Sequence, residues 1–170
     1  MMQTTHLLIR PFTIDDAKDY WPLVRLPKVL RYTGEQPQQS LDDVREILLS
    51  RPLRDYAVHG FGRMACMEKS SGRLVGFCGL KYLDDLREVD IGYRFLPDCW
   101  GKGYATESAR AIIDEGVRRH GLSRLIGLVL PVNAASARVL GKLGLGFERK
   151  VKLHDFDDEL DLYSITLEGS

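Results

Sequence analysis

DCWGKGYATES, residues 98 to 108, joins the segment EVDIGYRF (88 to 95) to a long run with helical spacing. EVDIGYRF reads as a strand. From Gly103 onward Ala105, Ala109, Ile112, Ile113, Gly116 and Val117 recur every three or four residues. The run ends in Arg118, Arg119 and His120, with Gly121 as a C-cap. The quoted stretch is therefore a glycine turn between a strand and a helix. Two nucleotide motifs fail on it. A Walker loop needs a glycine where Leu96 stands and Ser or Thr where Gly103 follows Lys102. A dinucleotide turn matches at Gly101 and Gly103 but has Thr106 in the third glycine place, and the next strand ends in Leu130 and Pro131 without an acid for a ribose. What remains is physical. The first N–H groups of a helix lack internal partners, and its dipole places about half a positive charge there, which suits an anion. Gly101 and Gly103 allow close approach of a ligand to the backbone. Taken alone, the stretch fits either an anion site or a plain bend.

Outward from the turn, HLLIRPF (6 to 12) reads as a strand, followed by a helix opened by Asp15 and Asp16 and running through Trp21. SLDDVREILLS (40 to 50) reads as a helix capped by Ser40. FGRMACMEK (61 to 69) and RLVGFCGLKYL (73 to 83) flank the turn SSGR as a hairpin. Beyond the long helix, RLIGLVL (124 to 130) is a continuous apolar strand and NAASARVLGKLG (133 to 144) a helix capped by Asn133. FERKVKL and LDLYSITL read as closing strands. The order predicts an α+β fold in one domain, residues 1–170, with a mixed, mostly antiparallel sheet of about seven strands and about four helices on both faces.

At 170 residues the chain can bury roughly 70% of the surface it exposes when unfolded. Lys plus Arg equals Asp plus Glu at 24 each, so no net charge draws it to nucleic acid or anionic lipid. No apolar run approaches the ~20 residues that span a bilayer, and a cytoplasmic protein without nucleic-acid or membrane partners is expected. Cys66, Cys78 and Cys99 form no C-x-x-C pair and read as reduced thiols. His6, His59 and His154 are scattered, and DFDDELD (155 to 161) has Leu160 where a calcium loop needs glycine, so no metal is expected.

WGKGYATE after IGYRF, followed by N-x-x-S and KLGLGF, resembles the GNAT superfamily of acyl-CoA-dependent N-acyltransferases, in its RimJ/RimL-like (ribosomal-protein N-acetyltransferase) branch. The resemblance runs nearly end to end, with only residues 25 to 60 unspecific. The family's phosphate loop, [Q/R]-x-x-G-x-[G/A], falls on Trp100, Gly103 and Ala105, with Trp common at the first place in this branch. The resemblance implies a GNAT-like fold and a coenzyme A pyrophosphate on the amides of Trp100, Gly101, Lys102, Gly103, Tyr104 and Ala105, with Thr106 adding a hydroxyl. Asn133 would help order the coenzyme, and Arg138, with Lys142 one turn on, would meet a coenzyme phosphate. The expected reaction is acetyl transfer from acetyl-CoA, without a metal, to an amine-bearing small molecule or a protein N-terminus. A homodimer is a further expectation.

Direct attack of an amine on a thioester requires removal of an amine proton and protonation of the departing thiolate. The branch often carries a glutamate at the position of Asp90, which makes Asp90 the first candidate base and Glu88, on the same strand face, the second. Many family members protonate the thiolate with a tyrosine seven residues after the asparagine; here Leu140 stands there, and Ser136 is the nearest hydroxyl, though serine at that place also completes a helix cap. A non-catalytic acyl-CoA-binding module is the alternative. At pH 7, freeing a lysine amine costs about 4 to 5 kcal/mol against about 1 for an α-amine, so a weak base favours the latter.

Overall fold

The computed structural model describes residues 1–168. The elements follow as β1 (Met2–Gln3), β2 (Leu7–Pro11), α1 (Ala17–Tyr20, between two 3-10 turns), α2 (Pro27–Leu30), α3 (Leu41–Leu48) and α4 (Arg54–His59). Then come β3 (Arg63–Glu68), β4 (Leu74–Leu83), β5 (Glu88–Phe95), α5 (Tyr104–His120), β6 (Arg124–Val129), α6 (Ala134–Lys142), β7 (Gly146–Val151) and β8 (Leu160–Thr166). Among the described residues the sheet has eight strands in the order β1-β2-β3-β4-β5-β6-β8-β7, and the β5–β6 pair alone is parallel.

The expected α+β architecture stands, with one strand and two helices more than the sequence predicts. β1 is two residues long and carries no periodicity. α2 and α4 are short and lie in the stretch without motif signal. Ser40 caps α3 through its side chain, accepting from the Asp43 amide at 3.1 Å. A π-helical turn at Leu49–Leu53, with Pro52 inside it, then joins α3 to α4, because proline cannot supply the ladder N–H.

Two main cores lie on opposite faces of the sheet. Val24, Val44, Leu48 and Phe77 pack the N-terminal helices against one face. Val75, Ile91, Ile113 and Leu125 pack α5 against the other. Leu140 of α6 is 1% exposed, and a β-carbon on Gly127 of β6 would lie 2.6 Å from it, so the glycine leaves the space that Leu140 fills.

The topology makes one opening. β5 stays paired with β4 as far as Phe95, and β6 with β8 as far as Val129. β5 and β6 themselves are paired only at Asp90 and Ile126, so beyond that point the two strands part.

Leu140→Ala removes a side chain that α6 cannot replace and is expected to cost about 2–5 kcal/mol. A urea unfolding midpoint within error of the parent chain's contradicts this packing.

Candidate active site

β5 delivers the chain into a short 3-10 turn, Pro97–Cys99, and then into the glycine turn. Trp100 folds back, its Nε1 donating to the Phe95 carbonyl at 2.8 Å, with half of the residue exposed. Gly101 and Gly103 both have φ of +80°, a conformation that side chains disfavour. Nothing lies within 4 Å of where a β-carbon would stand on either. The amides from Gly101 to Thr106 find no acceptor among the described residues, and the first to bond within the helix is that of Glu107, to Gly103 at 3.0 Å. The N-terminus of a 17-residue helix thus presents its free donors at an open glycine cradle. Lys102, Thr106, Arg110 and Lys142 line an open pocket of about 510 Å³ beside it.

Glu68 on β3 anchors this turn from below. It accepts from Ser71 Oγ and from the Tyr104 hydroxyl, both at 2.7 Å, with Lys102 Nζ at 3.4 Å. These bonds, led by that from Ser71, hold its carboxyl down to about 2, and the bond to Glu68 pushes the Tyr104 phenol up to about 12. The Tyr104 hydroxyl and the Lys102 ammonium are therefore turned toward Glu68. Glu107, in the first turn of α5, accepts from Thr4 and His6 and so ties the helix to the β1–β2 turn.

The parting of β5 and β6 opens into a cavity of about 980 Å³. Gly101, Gly103, Ala105 and Thr106 line one end with Asn133, Ser136, Arg138 and Lys142. Gly92, Tyr93 and Leu128 line the strand gap. Residues from the N-terminal helices and from β3 and β4 line the far end. Asn133 caps α6, its Oδ1 accepting from the Ser136 amide at 3.2 Å. Arg138 has no carboxylate partner among the described residues. Trp100, Gly101, Gly103, Tyr104, Ala105 and Thr106 of the loop are thus brought to one cavity with Asn133, Ser136 and Arg138, whereas Lys102 lines the open pocket beside it and turns its ammonium to Glu68.

The two candidate bases are not. Glu88 sits at the start of β5, bonded to Arg124 at 2.7 Å, and does not line the cavity. Asp90 stands where β5 leaves β6 and is 6% exposed. Arg63 lies between it and the cavity, 3.0 Å from Asp90 Oδ1, and also donates to the Gly79 carbonyl at 2.7 Å. Arg63 is off the hydrogen-bond angle to Oδ1, which leaves that buried oxygen without a donor. A β-carbon at Gly92 would be 2.4 Å from the Arg63 guanidinium, so this glycine is the floor on which the arginine lies.

Three groups at the cavity carry no motif in the sequence. Tyr93 matches no motif, yet its hydroxyl donates to the Ser136 carbonyl at 3.0 Å and lies 3.1 Å from Ser136 Oγ. Burial pushes its phenol up to about 12. Strand alternation already sets Tyr93 on the face opposite Asp90 and Gly92, toward α6, and this was the available signal. Arg63 and the pair Glu35–Arg94 had no motif to mark them. Asp85, His154 and Asp155 meet at the surface, where His154 is already bonded to Asp85 at 2.9 Å.

The family model of the Acetyltransferase (GNAT) domain matches residues 6–146. This chain belongs to the GNAT acetyltransferase family. It is 26% identical over 175 residues to the uncharacterized N-acetyltransferase p20 of Bacillus licheniformis, covering 98% of this chain and 94% of that protein. A GNAT-family acetyltransferase from Bacillus anthracis superposes with a TM-score of 0.79 at 25% identity, over 97% of each chain. Spermidine N-acetyltransferase from Vibrio cholerae, in complex with CoA and spermine, superposes with a TM-score of 0.77 at 16% identity, over 95% of this chain and 96% of that one, and shows the shared fold. GNAT acetyltransferases draw their acetyl group from acetyl-CoA, and the free amides over the glycine cradle fit a pyrophosphate.

Gly103→Val places a β-branched side chain at a φ of +80° in the open cradle. The expected outcome is a rise of at least ~10-fold in KM for acetyl-CoA, about the worth of one charge-assisted hydrogen bond. An unchanged KM in a folded variant contradicts the loop's role.

Proposed function

We propose that this GNAT acetyltransferase moves an acetyl group from acetyl-CoA to a primary amine by direct attack of the amine on the thioester. One observation carries the reading: a single cavity joins the amide-rich glycine turn, the gap between β5 and β6, and a chamber beyond it. The amides of Gly101 to Thr106, with Lys142 and Arg138, hold the phosphates. The unpaired strand edges beyond Asp90 and Ile126 receive the extended arm of the donor. The thioester then lies where Tyr93 and Ser136 meet.

In the transfer, a nitrogen–carbon bond forms, the carbon–sulfur bond breaks, the amine gives up a proton and the thiolate takes one. Asp90 is the proposed acceptor of the amine proton. Its Oδ1 is buried, free of donors and set at the fork of the strands, behind Arg63, so the proton reaches it through a water molecule. Glu88 is paired with Arg124 outside the cavity and takes no part. Ser136 and Tyr93 are the proposed source of the thiolate's proton, their hydroxyls 3.1 Å apart in the strand gap, in place of the tyrosine that Leu140 replaces. The RimJ/RimL-like assignment belongs to the same proposal and rests on Trp100 in the loop and on the Asn133-to-Ser136 spacing.

Asp90→Asn is expected to lower kcat at least ~10-fold at neutral pH, with recovery at high pH where the amine deprotonates without help, and with little change in KM for acetyl-CoA. Glu88→Gln should have the smaller effect. Steady-state thiol release with an amine acceptor measures both, and full activity of Asp90→Asn at pH 7 removes Asp90 from the mechanism.

A further inference from the structure

The far end of the cavity draws on the segment from 25 to 60, which carries no motif, and on charged side chains of the sheet. Six cationic side chains line it: Lys28 and Arg31 from α2 and its C-terminal end, Arg51 from the π-helical turn, and Arg63, Lys81 and Arg94 from the sheet. Against them stand Glu35 and Asp55 in the lining and Asp90 behind Arg63, an excess of three positive charges. The carboxylates are already committed. Asp55 is 4% exposed and holds Lys81 at 2.8 Å. Glu35 is shared between Arg94 and Arg51, the latter at 2.8 Å. Burial pushes the Glu35 carboxyl up, but Arg94 and Arg51 outweigh it and hold it below the ordinary carboxylate range. Neither of these two lining carboxylates is free to receive a second cation. Lys28 and Arg31, by contrast, have no carboxylate within 4.0 Å among the described residues, and Arg31 rests over the Tyr32 ring at 5.0 Å.

A chamber whose acids are spent and whose free charges are positive repels a polycation and attracts an oxyanion. The same cations favour the neutral form of an amine placed among them, which is the form that attacks a thioester. We propose that the acceptor is a small anionic amine, one that carries a carboxylate or a phosphate group, seated by Lys28 and Arg31 with its amine toward the gap between β5 and β6. This deepens the acetyltransferase reading above and rests on it. Lys28 and Arg31 are specificity residues that touch the acceptor and leave the donor end of the cavity alone.

Thiol release from acetyl-CoA should be measured with matched acceptors: an amino acid against its amide, an aminoalkyl phosphate against the corresponding amino alcohol, a C-terminally amidated tripeptide without acidic side chains, and spermidine. The anionic member of at least one pair should exceed its neutral partner at least ~10-fold in kcat/KM, the worth of one hydrogen bond between charged groups. Whichever pair shows the larger ratio tells carboxylate from phosphate. Lys28→Gln and Arg31→Gln should each raise KM for that acceptor several-fold without moving KM for acetyl-CoA. Turnover of spermidine, the tripeptide or the neutral partners in preference to both anionic amines overturns the inference and leaves the acetyltransferase reading intact. So does an anionic acceptor whose KM is untouched by both substitutions, or a KM for acetyl-CoA that rises in step with it. No thiol release with any amine, from protein that binds acetyl-CoA, overturns the acetyltransferase reading and this inference together.

Discussion

One backbone pairing, Asp90 to Ile126, joins β5 to β6, and the arrangement of the site depends on its being the last. Each strand is held straight by its outer neighbour, β5 by β4 as far as Phe95 and β6 by β8 as far as Val129, so the divergence between them is fixed from both sides. A sheet ordinarily closes such a gap with hydrogen bonds, because unpaired backbone groups are costly to bury. Here the open edges face a cavity, and the two segments that leave the strands line one end of it: the glycine turn after β5 and the capped start of α6 after β6. The bridge from Tyr93 to Ser136 crosses the gap and sets the distance between them.

Charge is distributed along this cavity with a purpose that the chain's overall neutrality hides. The formal net charge is zero, yet cations line both ends of the cavity and its carboxylates are tied in ion pairs. At the donor end, Arg138 and Lys142 stand beside free backbone amides. At the far end, the arginines are held by specific contacts: Arg63 across Gly92 to the Gly79 carbonyl, and Arg94 onto the Leu23 carbonyl and Glu35. The bare face of Gly92 matters as much as the charge, since any side chain there would lift Arg63 from its bed.

The glycine turn, the strand before it and the helix after it were legible because they carry short-range signals: alternation in EVDIGYRF, helical spacing from Ala105 to Val117 and the glycine cap at Gly121. The loop residues and Asn133, Ser136 and Arg138 could be named from the motif, and all of them except Lys102 line one cavity. What was not legible arises from contacts between distant segments. Arg63 and Asp90 are 27 residues apart and Glu35 and Arg94 are 59 apart, and no local pattern pairs them. Glu88 shows the converse: alternation set it on the face of Asp90, but Arg124 from the neighbouring strand claims it. The far end of the cavity is built largely from residues 25 to 60 together with side chains of the sheet, where the sequence offered the weakest signal, so its cationic character became visible only in three dimensions.

The free amides of the glycine turn are proposed to hold the acyl donor, a role that spectroscopy can check. It is tested most directly by titrating acetyl-CoA into isotopically labelled protein and following the backbone amide resonances. The account predicts that the largest shifts fall on Gly101 to Thr106, with smaller ones along β5 beyond Asp90 and at the start of α6. Saturable binding that leaves the resonances of Gly101 to Thr106 in place, with the shifts gathered elsewhere on the protein, contradicts it.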